Sequence, residues 1–180
     1  ELRNDAFRAN VADKAVAAIH SGVVDGIMLD WWNEGEFPEA RLDILSRIRE
    51  QVPQDALILV NANHRKVPRS APLVNGLFME CYTSSDSADW EQIRTTLVWA
   101  EENLREPRIN CVEAWFDHSR NDLYKMRALT TLALTHSQGY VLFSDPNSLP
   151  APDHLHDWYT FWDAKLGVPE SGPLKTEEDY

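Results

Sequence analysis

Residues 25–36 read DGIMLDWWNEGE, an apolar run that stops at Asp30 and passes into two tryptophans and more acid. GIML is short and continuous, as a strand buried on both faces must be. The segment that follows, PEARLDILSRIREQV, puts Leu42, Leu45, Ile48 and Val52 on one helical face. A strand running into an amphipathic helix is the unit of a parallel β/α sheet. The turn between them excludes the usual nucleotide-binding use of such a sheet. That use needs a glycine-rich turn after the first strand. DWWNEGE, in a chain of only seven glycines, cannot bring its backbone close to a phosphate.

Working outward, NDAFRANVADKAVAAIHS before this stretch is a helix, with Asn4 or Asp5 as cap and Gly22 as stop. After it, ALILVNANH reads as a second strand and NGLFMECY as a third. The connection between them carries Pro68 and Pro72 and no evident helix. WEQIRTTLVWAEENL is a helix, RINCVEAWF a strand, RNDLYKMRALTTLALTHSQ a helix and GYVLFSD a strand. Residues 146–153 read as a linker, and HDWYTFWDAKLG as a closing amphipathic helix. The expectation is an α/β fold of parallel β/α units with about five strands. It forms a single domain over 1–180 with an irregular tail at 168–180.

The bulk numbers narrow the function classes. With 180 residues, 43% hydrophobic and 26% charged, the chain is globular by composition. Its longest apolar runs fall far short of the ~20 residues a bilayer requires. A net charge of −12 argues against a nucleic-acid or anionic-membrane surface. No initiator Met and no signal-peptide pattern open the chain, and the compartment stays open. If Glu80 and Glu113 face the same way, alternation sends Cys81 and Cys111 to opposite faces, which argues against a disulfide.

The polar residues gather at strand ends. Read toward its C-terminus, each strand stays apolar and then presents an acid or amide: Asp30; Asn61, Asn63 and His64; Glu80 and Tyr82; Glu113 and Trp115; Asp145. In parallel β/α folds that edge of the sheet is where ligands bind. A lone strand-end Asp often only caps a helix. Glu80 within LFMEC interrupts an apolar strand, which costs several kcal/mol unless the charge is paired or hydrated. No Ser or Cys sits on a GxSxG elbow. The spacing of His154 and His156 carries no specific zinc pattern, so no metal ligand and no cofactor is assigned. Two carboxyl groups with aromatics to stack on sugar rings fit glycoside hydrolysis best. By alternation Trp32 shares the face of Asp30 and lines the cleft, while Trp31 packs beneath the helices.

DGIMLDWW, LVNAN, NGLFMECY, MRALTTLALTHSQGYVLFSD and WYTFWDAKLGVP together resemble the C-terminal part of a family of glycoside hydrolases. That family has a (β/α)8-barrel fold and is distantly similar to α-galactosidase-type and polygalactosaminidase-like enzymes. The resemblance covers nearly all of the chain, most tellingly in xGxxLDxW, VNGxxxE and WxxxWDxxLGxP. It implies a nucleophile at Asp30, at the end of the barrel's fourth strand, and an acid/base at Glu80 on the sixth. Glu113, on the seventh, would support the site or compete for the acid role. Trp32, Asn61, Asn63, His64, Tyr82, Trp115 and Asp145 are the expected substrate contacts, and a carbohydrate the expected substrate.

Five strands cannot close an eight-stranded barrel, and the first three would precede Glu1. The strands around Gly26 and Val141 are therefore expected to be open edges, covered in a homodimer that also shelters Met28 and Phe78. Two other classes fit the same pattern. One is a non-catalytic carbohydrate-binding or degenerate module. The other is a metal-dependent hydrolase or lyase using Asp30, Glu80, Glu113 and Asp145 as hard ligands.

Overall fold

In the computed structural model the described residues are 1–80, 87–115, 121–146, 154–156, 159, 162 and 165; side chains at 87–89, 115, 143–146 and 154–156 lie outside the description. Helix α1 (Asp5–His20) starts where the Asn4 side-chain oxygen accepts from the Ala6 N–H at 2.9 Å. Strand β1 (Gly26–Leu29) follows, then α2 (Pro38–Arg49), which begins on a proline whose missing N–H costs nothing in a first turn. Next come β2 (Leu57–Asn61), a short 3₁₀ turn (Ala71–Leu73) where no full helix was expected, and β3 (Gly76–Glu80). The chain continues through α3 (Ser87–Asn103), β4 (Cys111–Trp115), α4 (Leu123–His136), β5 (Tyr140–Pro146) and β6 (His154–His156).

The sheet order is β1-β2-β3-β4-β5-β6, with the first five strands parallel and β6 antiparallel to β5. This order decides between the two parallel architectures. A doubly wound sheet reverses direction at a switch point, whereas here every parallel crossover steps the same way, as around a barrel. The α/β expectation holds, with the arrangement of a partial barrel.

Register shows which face the helices cover. Ile58 and Val60 of β2, Leu77 and Met79 of β3, and Val112 and Ala114 of β4 are buried together with Val16, Leu45, Ile48, Ile93, Leu97 and Leu129 of the helices. Each such aliphatic side chain contributes ~1.5–3 kcal/mol by leaving water. The alternate residues face the other way, where cover is uneven: Asn61, Cys111 and Glu113 are buried, Leu59 and Phe78 half-buried, and Met28 and Tyr140 each 46% exposed. The sheet thus has a packed outer side and an inner one that is open at β1 and at the start of β5.

Two expectations change at the C-terminal end. Strand β5 is not an open edge along its whole length, because Ser144, Asp145 and Pro146 pair with His156, Leu155 and His154 of β6. Three residues in a Pro- and Asp-rich stretch carry no periodicity from which a strand can be read. The helix expected over 156–167 and the tail at 168–180 lie almost wholly outside the described residues. Tyr159 nevertheless joins the core at 6% exposure, edge-on to Trp162 with ring centroids 5.1 Å apart.

At the N-terminal ends of the strands the chain closes on itself through Asn75. Its Oδ1 accepts from the Ile58 N–H at 3.1 Å and from Arg49 Nη2 at 2.5 Å. Its Nδ2 donates to the carbonyls of Arg105, Glu106 and Pro107. Arg49 also donates to the carbonyls of Leu73 and Ala56. Next in the chain, Gly76 is required by close approach, since a Cβ there would lie 1.6 Å from the Ile109 carbonyl oxygen.

Candidate functional site

At the opposite, C-terminal edge, β1 delivers Asp30, β2 Asn61 and β3 Glu80. The Asn61 amide joins them: Nδ2 donates to Asp30 Oδ1 at 2.8 Å and to Glu80 Oε1 at 3.0 Å. Bonds of 2.8 and 3.0 Å meeting at one nitrogen keep the two accepting oxygens within about 5.8 Å of each other. The two hydrogens of an amide diverge by roughly 120°, which brings that separation to about 5 Å. Asp30 is exposed, Glu80 half-buried and Asn61 buried, so the amide forms the floor between two acids. The amide orientation is fixed from its other end, because Asn61 Oδ1 accepts the Asn63 N–H at 3.1 Å.

Glu113 continues the row. It stands in register with Glu80, one strand spacing away, and is buried at 2% exposure. Cys111, on the same face, is a free, buried thiol. Burial, reinforced by the neighbouring Glu113 carboxylate, pushes that thiol up to about 12. It is therefore a packing residue and not a nucleophile at neutral pH. Cys81 lies outside the described residues.

The tryptophans exchange the places expected of them. Trp32 is buried at 4% exposure, its indole N–H donating to Ser70 Oγ at 2.9 Å, while Trp31 is 86% exposed. Alternation fails because β1 ends at Leu29 and Trp31 takes a left-handed backbone with φ 55°. Such a conformation costs ~1–3 kcal/mol in a non-glycine residue and persists only where neighbours enforce it. Three contacts enforce it. The Trp31 N–H donates to Asp30 Oδ1 at 2.8 Å, its carbonyl accepts from Arg41 Nη1 at 2.8 Å, and the Trp32 N–H donates to the Asn61 carbonyl at 2.7 Å. Glu34 ties the loop down further by accepting from the Arg69 and Ser70 N–H groups. The backbone that carries the exposed Trp31 indole is thus fixed next to Asp30. The sequence signalled only that two adjacent tryptophans cannot both point inward.

The remaining expected contacts divide. Asn63 is exposed, also left-handed at φ 51°, and serves the site through its backbone N–H to Asn61. His64 is half-buried; its carbonyl accepts from Thr96 Oγ1 at 2.9 Å, and its buried Nδ1 has no hydrogen-bond partner among the described residues. Tyr82 lies outside the described residues, as do the side chains of Trp115 and Asp145. In backbone register Trp115 pairs with Ser144 and Glu113 with Leu142. Asp145 falls on the alternate position, opposite Leu155 of β6.

No model of a known protein family matches this chain, and no curated protein is similar to it. Among the described residues no helix is long and apolar enough to cross a membrane. Among them, too, no group of three or more His, Cys, Asp or Glu is placed to hold a metal ion. The space between Asp30 and Glu80 is filled by an N–H2 donor, whose partial positive charge opposes a cation there.

Proposed function

We propose that this edge of the sheet is the site of a glycoside hydrolase, with Asp30 as nucleophile and Glu80 as acid/base. The observation that carries the reading is the Asn61 bridge, which holds carboxyl oxygens of Asp30 and Glu80, from the strand ends on either side of β2, about 5 Å apart. Retaining glycosidases work with carboxyl groups ~5–5.5 Å apart, inverting ones with ~6.5–9.5 Å, so the separation favours retention of anomeric configuration. The exposed Trp31 beside Asp30 supports a sugar ligand, since the apolar face of a pyranose stacks on an indole. Glu113, buried and in register beside Glu80, extends the row of acids on the same face.

The test is hydrolysis of a panel of aryl and oligosaccharide glycosides by the protein and its Asp30→Asn and Glu80→Gln variants. Each substitution is expected to abolish turnover on any responsive substrate while circular dichroism and melting temperature stay as they were. Undiminished rates in either variant would remove the assignment. Sugar binding without hydrolysis, indifferent to Asp30→Asn, would point instead to a carbohydrate-binding module.

The open inner side supports association of two copies. Met28 and Tyr140 are exposed apolar side chains on that side, and β1 pairs only with β2 among the described residues. Light scattering is expected to give a dimer that Met28→Lys dissociates. A monomer at tens of micromolar would end this part of the reading.

A further inference from the structure

We infer that Asn61 is a positioning residue, which binds the two carboxyl groups of the site to each other and leaves no donor for substrate. The inference rests on the carboxylate-pair reading for its functional meaning but not for its test. An Asn side chain has two N–H donors and one carbonyl acceptor. Here both donors are engaged by Asp30 Oδ1 and Glu80 Oε1, and the carbonyl is engaged by the Asn63 N–H. Its backbone is occupied as well, the carbonyl receiving the Trp32 N–H. At 6% exposure the amide has little surface left on which a sugar hydroxyl could compete. The expectation that Asn61 contacts substrate directly is replaced by one in which it acts through its neighbours.

A donor shared between two acids favours the ionised form of each. Charged or titratable groups near the pair include Glu113 and Cys111 from β4, His64 from the loop after β2 and Arg41 from α2. None of these is altered by a substitution at Asn61, so a change in the titration of Asp30 and Glu80 reports the bridge.

The experiment is carboxyl-detected NMR titration of the free protein, comparing it with Asn61→Ala. Asn61→Ser serves as a second variant should the first fold poorly. Serine can still accept the Asn63 N–H but is too short to reach both acids. The expected result is a carboxyl titration of the pair in each variant that no longer matches that of the unsubstituted protein. Unchanged titration of both, even with a lowered melting temperature, would reduce Asn61 to a turn-holding residue and overturn the inference. On any glycoside the protein hydrolyses, Asn61→Ala should lower kcat at nearly constant KM. A raised KM at constant kcat would make Asn61 a substrate contact and overturn it equally. The titration needs no substrate, so a protein without glycosidase activity would remove the proposed function and leave this result standing.

Discussion

Two asparagines stand at opposite ends of the same sheet, and their partners differ in kind. Asn75, at the N-terminal end, is 1% exposed and ties together a guanidinium, a strand N–H and three loop carbonyls. Asn61, at the C-terminal end, is nearly as buried, yet its two acceptors are carboxylates on the solvent side, one exposed and one half-exposed. The same side chain closes the fold at one end and holds like charges together at the other. Burial alone therefore does not tell a structural amide from a functional one. What its partners would do without it does.

That difference has a direct measure. Replacing Asn75 by Ala leaves Arg49 without a partner for Nη2 and strands the Ile58 N–H inside the protein. The loss should be ~3–5 kcal/mol, by analogy with breaking one side of a buried charged contact. Replacing Asn61 by Ala leaves two carboxylates that water can reach, and should cost less than ~1.5 kcal/mol, the net worth of ordinary hydrogen bonds. Urea denaturation of the two variants checks the ordering. Equal losses would mean that the C-terminal edge is as structural as the N-terminal one, and would weaken the case for a site there.

The contrast also marks what could be read in advance. Asp30, Glu80 and Glu113 were legible because strand alternation and parallel register are local, repetitive rules, and register places Glu80 beside Glu113 as they require. Asn75 looked like an ordinary turn residue before Gly76. Its partners at 105–107 lie some thirty positions away, and no local pattern announces them. The reversal of Trp31 and Trp32 was hidden for a similar reason. It depends on Arg41 gripping a carbonyl ten residues back and on Asn61 accepting the Trp32 N–H across strands. The backbone register of β5 was hidden for the opposite reason. The period-2 rule was applied within each strand, and the offset between β4 and β5, which sets Leu142 and not Phe143 beside Glu113, is a property of the pair.

A third polar cluster, on the outer surface between α1 and α2, calibrates the smallest effect. Asp43 accepts from Arg8 Nε at 2.6 Å and Arg47 Nε at 3.0 Å, and both arginines also reach Asp5. Hydrogen bonds from Arg8 and then Arg47 hold the Asp43 carboxyl below its usual value of 3.8. A carboxyl whose folded value is depressed stabilises the fold above its unfolded value, and that stability is lost as pH falls through the folded one. Asp43→Asn should therefore cost under ~1 kcal/mol at pH 7, less still in high salt, because the side chains are accessible to water and ions. The deficit should shrink below about pH 4 and vanish once the wild-type carboxyl is itself protonated. Thermal melts from pH 7 to pH 2 at two ionic strengths measure it. The comparison with Asn75 is the point of the experiment: an arginine is anchored in both places, by a formal charge at the surface and by a neutral amide in the interior. If Asp43→Asn cost as much as Asn75→Ala, charge would outweigh burial in this fold, and the contrast drawn between the two ends of the sheet would need a different physical basis.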